Sequence, residues 1–265
     1  MNPSAASEEY GIIGCPLGHS FSPGHFNALF ERTGRDAVYL KFPIGDIGEL
    51  PALVQAHPRL QALNVTSPYK VSALGYLDAL TPEAAAVGAV NVIRVFHLGD
   101  GGFRLIGHNT DSVGFRESMR AVPPACALVA GTGGASKAVS TALSQLGFRV
   151  VFASRTARED DAYKTYEEIA QEGLGAYSLI VNATPLGMAP REASCVPLPY
   201  EELKPGQMLY DLIYNPEETL FLQKGKEKGC RIKNGMEMLY LQADASWEFF
   251  RISEEEAARI CISTR

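Results

Sequence analysis

The chain has 265 residues, a formal net charge of −6 and 46% hydrophobic residues, which fits one large or two modest packed domains and excludes wholesale disorder. A mildly acidic chain with no block of Lys or Arg has little to set against phosphate charge. There is also no apolar run of about 18 residues, so neither a nucleic-acid partner nor a membrane span is expected. Residues 1–10 carry no secretory signal pattern, and Cys15, Cys126, Cys195, Cys230 and Cys261 are scattered without a CxxC pair, so reduced thiols in a cytoplasm are expected.

Short apolar runs alternate with longer amphipathic stretches. Strands are expected at 10–14, 37–42 and 60–66, with helices at 22–32 and 46–57 between them. Ser22 before Pro23 reads as an N-cap. Segments 91–96 and 103–107 flank a glycine-rich turn at 99–102 and read as a hairpin. A helix at 111–120 stops before Pro123 and Pro124, and a second alternation follows. It has strands at 127–130, 149–154, 178–182 and 208–213, and a helix at 136–146. Asn215, Pro216 and Glu217 read as the start of a further helix, by cap, proline and acid. A long helix at 235–250 and a capping box from Ser253 to Glu256 close the chain. The expected architecture is α/β with two domains and a cleft between them. A mixed-sheet domain spans 1–110 and is completed by helices at 236–265; a Rossmann-type domain spans 111–235.

Gly131, Thr132, Gly133, Gly134, Ala135 and Ser136 follow one expected strand and open a helix. In that context the glycines permit a tight turn and close approach of a pyrophosphate, and Ser136 takes the small position where helix and strand pack. The helix N-terminus offers free N–H groups and the positive dipole end. An NAD site usually carries an acid at the end of the next strand, about 20 residues on. Here that end reads Ser154, Arg155 and Thr156, with Arg158 close behind, and no acid appears before Glu159. Donors in place of an acid favour NADP, because Arg offers a fork matched to a phosphate.

Further polar clusters sit at expected strand ends. They are His19–Pro23 (HSFSP), Asn64–Lys70 (NVTSPYK), Gly88–Asn91 (GAVN), Gly107–Phe115 (GHNTDSVGF), Asn182–Met188 (NATPLGM) and Gly235–Gln242 (GMEMLYLQ). His19 has no second ligand at metal spacing and reads as structural, so no metal site is expected. On the long helix, Met238, Ala245 and Phe249 share a stripe with Gln242, while Met236, Leu239, Ala243 and Trp247 form the opposite one. A helix apolar on two sides lies between two bodies, and Gln242 must find partners in the cleft or in the core.

In this order and spacing the clusters resemble the shikimate dehydrogenase family, over nearly the whole chain. The resemblance implies reversible, NADPH-dependent reduction of 3-dehydroshikimate to shikimate, in aromatic amino-acid biosynthesis. It assigns Lys70 and Asp111 to the catalytic pair. Ser20 and Ser22 match positions for the substrate carboxylate, and Asn64, Thr66, Asn91, Tyr214 and Gln242 match positions near the ring hydroxyls. The 131–136 segment matches the phosphate loop, and Ser154, Arg155 and Thr156, with Arg158 close by, match the 2′-phosphate clamp. Met188, Met238 and Leu239 resemble nicotinamide-pocket residues; Thr184, Ile213 and Gly235 belong to the same cofactor-side segments. The family often has Asn where this chain has Cys15 or Ser154, and Met where it has Ile213. The expected partners are small molecules, with a monomer or homodimer as the assembly. Two rivals remain: a quinate/shikimate dehydrogenase, whose members often prefer NAD and carry Thr for the second serine, and a non-catalytic ligand-binding module. The latter predicts loss of Lys70 or Asp111, and both are present.

Overall fold

The computed structural model of the chain describes residues 6–18 and 20–264. Along the chain come β1 (Glu8–Gly14), α1 (Ser22–Thr33), β2 (Ala37–Pro43), α2 (Leu50–Ala56), β3 (Leu60–Val65), β4 (Ala79–Leu80), α3 (Pro82–Val87), β5 (Val92–His97), β6 (Phe103–His108) and α4 (Thr110–Met119). Then follow β7 (Cys126–Ala130), α5 (Gly134–Gln145), β8 (Arg149–Ser154), β9 (Tyr163–Thr165), α6 (Tyr166–Glu172), β10 (Leu179–Asn182), β11 (Met208–Asp211), α7 (Leu220–Glu227), β12 (Arg231–Lys233), α8 (Met236–Phe250), α9 (Glu254–Ile260) and β13 (Ile262–Ser263). The described residues up to Thr110, together with those from Ala243 onward, form one compact unit; Asp111–Gln242 form a second. α4 and α8 carry the chain from one to the other.

The first unit holds a mixed sheet, ordered β13-β4-β6-β5-β3-β1-β2 among the described residues. β2, β1 and β3 run parallel, and β5 is antiparallel to both β3 and β6. Alternate residues of these strands feed two separate cores. Ile13, Leu63, Val65, Ile93 and Leu105 pack on one face, with Leu50 and Val54 of α2. Tyr10, Ile12, Ala62, Val92 and Ile106 pack on the other, with Phe26 and Phe30 of α1 and Phe249 and Phe250 of α8. Both faces are covered, so the strands read as apolar runs rather than as alternating polar and apolar residues.

The second unit holds an all-parallel sheet, ordered β12-β11-β10-β7-β8-β9 among the described residues. It divides in the same way: Leu128, Ala130, Val151, Ile180 and Leu209 on one face, Ala127, Val129, Leu179, Val181 and Tyr210 on the other.

Several expected boundaries shift, each for a local reason. The 46–57 helix is a short 3-10 turn, capped by an Asp46–Glu49 box, that gives way to α2 at Leu50. Ser22 does not cap α1; it is already the first helical residue, after Phe21, and makes no side-chain cap bond. The helix expected from Asn215 begins only at Leu220, because Thr219 accepts the Leu222 N–H and supplies the cap. β11 ends at Asp211, whose carboxylate accepts the Ile213 N–H and turns the chain there. The chain rejoins the first unit at Ala243 rather than at 236: Met238 belongs to the core of the second unit, beside Phe115 and Tyr210. The capping boxes at Thr165–Glu168 and Ser253–Glu256 open α6 and α9.

In the second unit α4 and α8 touch backbone to backbone at Gly114. A Cβ there would lie 2.8 Å from the Gln242 nitrogen and 2.8 Å from the Met238 oxygen. Alanine normally favours a helix over glycine by about 1 kcal/mol, but here overpacking opposes that gain. Gly114→Ala is therefore expected to lower stability by about 1–3 kcal/mol in denaturant unfolding. A stabilised variant would show that the two helices separate freely.

Candidate functional site

In the first unit, polar side chains gather where β1, β3 and β5 meet their loops. Asn64, at the end of β3, is 6% exposed. Its Oδ1 accepts the Tyr39 hydroxyl at 2.6 Å, and its Nδ2 donates to the Asn91 carbonyl and to Ser246 Oγ, both at 3.3 Å. Asn91 Oδ1 accepts the Thr110 N–H at 2.7 Å, and Thr110 Oγ1 lies 2.9 Å from Ser246 Oγ. Tyr39 also hydrogen-bonds Ser22; burial pushes its phenol well above the ordinary value against that bond. Asn27 of α1 clamps the Tyr39 backbone at both N and O, which sets the register of α1, and so of Ser22, on β2.

Ser22, half-buried, is thus brought into one hydrogen-bonded network with the buried Asn64 and Asn91, completed by Tyr39, Thr110 and Ser246. Thr66 and Lys70 lie on the loop after β3. Lys70 is half-buried, and its carbonyl accepts the Val90 N–H next to Asn91. Ser20 is half-buried just before α1, while His19 lies outside the described residues.

In the second unit, Asp111 sits in the first turn of α4, 7% exposed. Gln242 on α8 donates to the Leu239 carbonyl. Asp111 and Gly114 are three residues apart on one helical face, so the close approach at Gly114 brings the segment carrying Asp111 next to the one carrying Gln242.

The β7–α5 junction fits a dinucleotide phosphate. Gly131 has φ +107°, which L side chains rarely adopt, and a Cβ there would lie 2.9 Å from Ser136 Oγ. A Cβ at Gly133 would meet open space, and Gly133, the N-cap of α5, makes no side-chain cap bond, an arrangement that suits an anion. Thr132, Gly134 and Ala135 are half-buried along the same turn. Ser136 is fully buried, and its Oγ has no hydrogen-bond partner among the described residues.

At the end of β8, Ser154 is buried and its hydroxyl is bonded to the Thr156 carbonyl. Arg155 and Thr156 are exposed. Arg158 lies 4.4 Å over the Tyr163 ring.

The loops after β10 and β11 carry Thr184, Met188, Ile213 and Tyr214. Met188 is 48% exposed and Ile213 is buried. Burial raises the Tyr214 phenol above its ordinary value. Gly235 is buried and donates its N–H to the Ile213 carbonyl; a Cβ there would lie 2.0 Å from the Leu212 oxygen, so only glycine fits. Met238 is buried and Leu239 half-buried on α8.

Sequence reasoning misses Tyr39, Ser246, Asn182 as a buried anchor, and Asp211. Asp211 has no accessible surface, and burial pushes its carboxyl up to about 6 even though Thr219, Ile213 and Asn182 all donate to it. The available signal was a single acid ending the apolar run MLYD. Among the described residues no group of His, Cys, Asp or Glu is arranged to hold a metal ion, and no helix is long and apolar enough to cross a membrane.

A family model described as the shikimate dehydrogenase substrate binding domain matches residues 12–93. A shikimate dehydrogenase (NADP(+)) of Bacillus mycoides is 36% identical, covering 91% of each chain. A Thermus thermophilus shikimate 5-dehydrogenase, solved in complex with NADP(H) and shikimate, superposes with a TM-score of 0.78 at 31% identity, over 96% of this chain and 99% of that one. A quinate dehydrogenase from Corynebacterium glutamicum, solved in complex with NAD, has a TM-score of 0.80 at 27% identity, over 96% and 97%. An identity above one third, sustained over nine-tenths of a named relative and joined to a matching substrate-domain model, is decisive: the chain belongs to the shikimate dehydrogenase family.

Proposed function

We propose that the protein is an NADP-dependent shikimate dehydrogenase that interconverts 3-dehydroshikimate and shikimate. The observation that carries this reading is an uncapped, glycine-lined phosphate loop followed by Arg155, on a chain whose residues 12–93 match a shikimate dehydrogenase substrate-binding domain. Bound NADPH supplies the hydride for the ketone carbon.

The chain supplies the rest. Lys70 gives a proton to the forming alkoxide, and Asp111 is its orienting partner. Ser20 and Ser22 take the substrate carboxylate. Asn64, Thr66, Asn91, Tyr214 and Gln242 take the ring hydroxyls. The turn at Gly131, Thr132, Gly133, Gly134, Ala135 and Ser136 offers its N–H groups to the pyrophosphate. Ser154, Arg155, Thr156 and Arg158 form the 2′-phosphate clamp. Thr184, Met188, Ile213, Gly235, Met238 and Leu239 line the nicotinamide side. In this reading residues of the first unit, with Asp111, Tyr214 and Gln242, serve the substrate, and the second unit binds the cofactor. The enzyme works in the cytoplasm as a monomer or homodimer, in keeping with its free cysteines.

The test is reduction of NADP and NAD with shikimate and with quinate, in parallel. Fastest turnover with NADP and shikimate is expected; fastest turnover with NAD and quinate would move the chain to the quinate branch. Arg155 separates the cofactors further. A charge-assisted bond is worth about 1.5–3 kcal/mol, so Arg155→Ala should weaken NADP binding about 10- to 150-fold and leave NAD binding nearly unchanged. Equal losses for both cofactors would remove Arg155 from the clamp.

A further inference from the structure

β10 and β11 are adjacent and parallel, with Asn182 directly opposite Asp211 in the register. Each strand ends in a polar side chain with no accessible surface. Around each one a loop is folded. Asn182 Oδ1 accepts the Thr184 N–H at 3.0 Å and the Thr184 hydroxyl at 2.7 Å; its Nδ2 donates to the Leu186 carbonyl at 3.1 Å. Asp211 Oδ1 accepts the Ile213 N–H at 3.0 Å, and Oδ2 accepts the Thr219 hydroxyl at 2.5 Å. The two centres are joined directly, Asn182 Nδ2 to Asp211 Oδ1, at 3.0 Å.

The loops so held carry Thr184 and Met188 on one side and Ile213 and Tyr214 on the other. Thr184 also abuts the phosphate turn: its Cγ2 would lie 3.1 Å from a Cβ on Gly131. Neither side chain has surface with which to touch a ligand. A buried amide and carboxylate are costly to desolvate and would be replaced by apolar residues without loss of a core. Their role is to tie the two loops to each other.

We infer that Asn182 and Asp211 are positioning residues that fix the two cofactor-side loops relative to one another, and so act on turnover rather than on the tightness of NADP binding. This rests on the function proposed above. Binding of NADP is dominated by the phosphate turn and the Arg155 end, to which the Asn182 and Asp211 side-chain bonds above do not reach directly. The chemical step depends on loop placement, because a misplacement on the order of 1 Å can cost about 100-fold in rate.

The experiment compares kcat at saturating shikimate and NADP, the NADP Kd by calorimetry, and Tm, on the purified full chain. Asn182→Ala is expected to lower kcat about 10- to 100-fold while the NADP Kd stays near that of wild type. Thr219→Val, which keeps shape and removes one donor to Asp211 together with the cap of α7, covers the case in which Asn182→Ala does not fold. It should lower kcat about 2- to 10-fold, the worth of one hydrogen bond.

A lower Tm with kcat unchanged in the folded variants would make the pair merely structural and overturn the inference. So would a Kd that rises in step with the fall in kcat. Absence of shikimate turnover by the wild-type chain would overturn the proposed function instead.

Discussion

Lys70→Ala is expected to lower kcat by about 10²–10⁴-fold, the usual contribution of general acid–base catalysis, with a much smaller effect on shikimate binding. The asymmetry follows from the role. The proton is needed where alkoxide charge develops, so the interaction is stronger in the transition state than in the ground state and its loss appears in kcat.

Asp111→Asn keeps the shape and much of the hydrogen bonding but removes the charge. It should slow turnover, because the lysine loses the partner that orients it toward the forming alkoxide. If the two act as one unit, the double variant should cost little more than the worse single one. A kcat within a few-fold of wild type after Lys70→Ala, together with a fallen Tm, would leave Lys70 as an ordinary ion-pair partner.

Asp211 should impose a pH dependence on stability. Its carboxyl is pushed up from 3.8 to about 6, with burial as the cause, against three hydrogen bonds that favour the ionised form. A raised pKa means that the folded state holds the proton more tightly than the unfolded chain. The stabilisation is therefore fully present below pH 3.8 and is lost as pH rises through about 6. A shift of this size corresponds to roughly 3 kcal/mol.

Other groups titrate in the same window, so the informative quantity is the difference between wild type and Asp211→Asn. The wild-type advantage in unfolding free energy should be larger at low pH and shrink by up to about 3 kcal/mol towards neutral pH. A pH-independent difference would mean that Asp211 titrates as an ordinary exposed acid. Asp211→Ala removes the acceptor from all three donors and should cost at least about 3 kcal/mol at any pH, since each buried donor left unsatisfied costs about 1–3 kcal/mol.

How much could be read in advance depended on how local each cause was. Two apolar faces per strand produce continuous hydrophobic runs, and most strands of both sheets were visible as such. The phosphate turn was visible because three glycines between a strand and a helix have a short-range reason to exist. The capping box at Ser253–Glu256 is likewise complete within four residues, and the structure contains it. The same kind of local reasoning failed at Ser22 and at Asn215. A good cap sequence competes there with partners the local pattern does not show: Tyr39, twenty-five residues before Asn64 yet bonded to both Ser22 and Asn64, and Asp211, which holds Thr219.

The linear pattern alone established the strand–helix alternation, the glycine turn with its uncapped helix, and the absence of an acid ahead of Glu159, since each depends on neighbours within a few residues. Only the fold decided that Asn64, Asn91, Thr110 and Ser246 share one hydrogen-bonded network although 182 residues separate the first from the last. It also decided that Asn182 and Asp211 face each other across a parallel register, and that α8 changes allegiance at Ala243 rather than at its first residue. The physical reason is common to all three. A buried polar group must be satisfied by whichever partner the packing brings to it, and burial raises the energy at stake while leaving no trace of the partner's position in the surrounding residues.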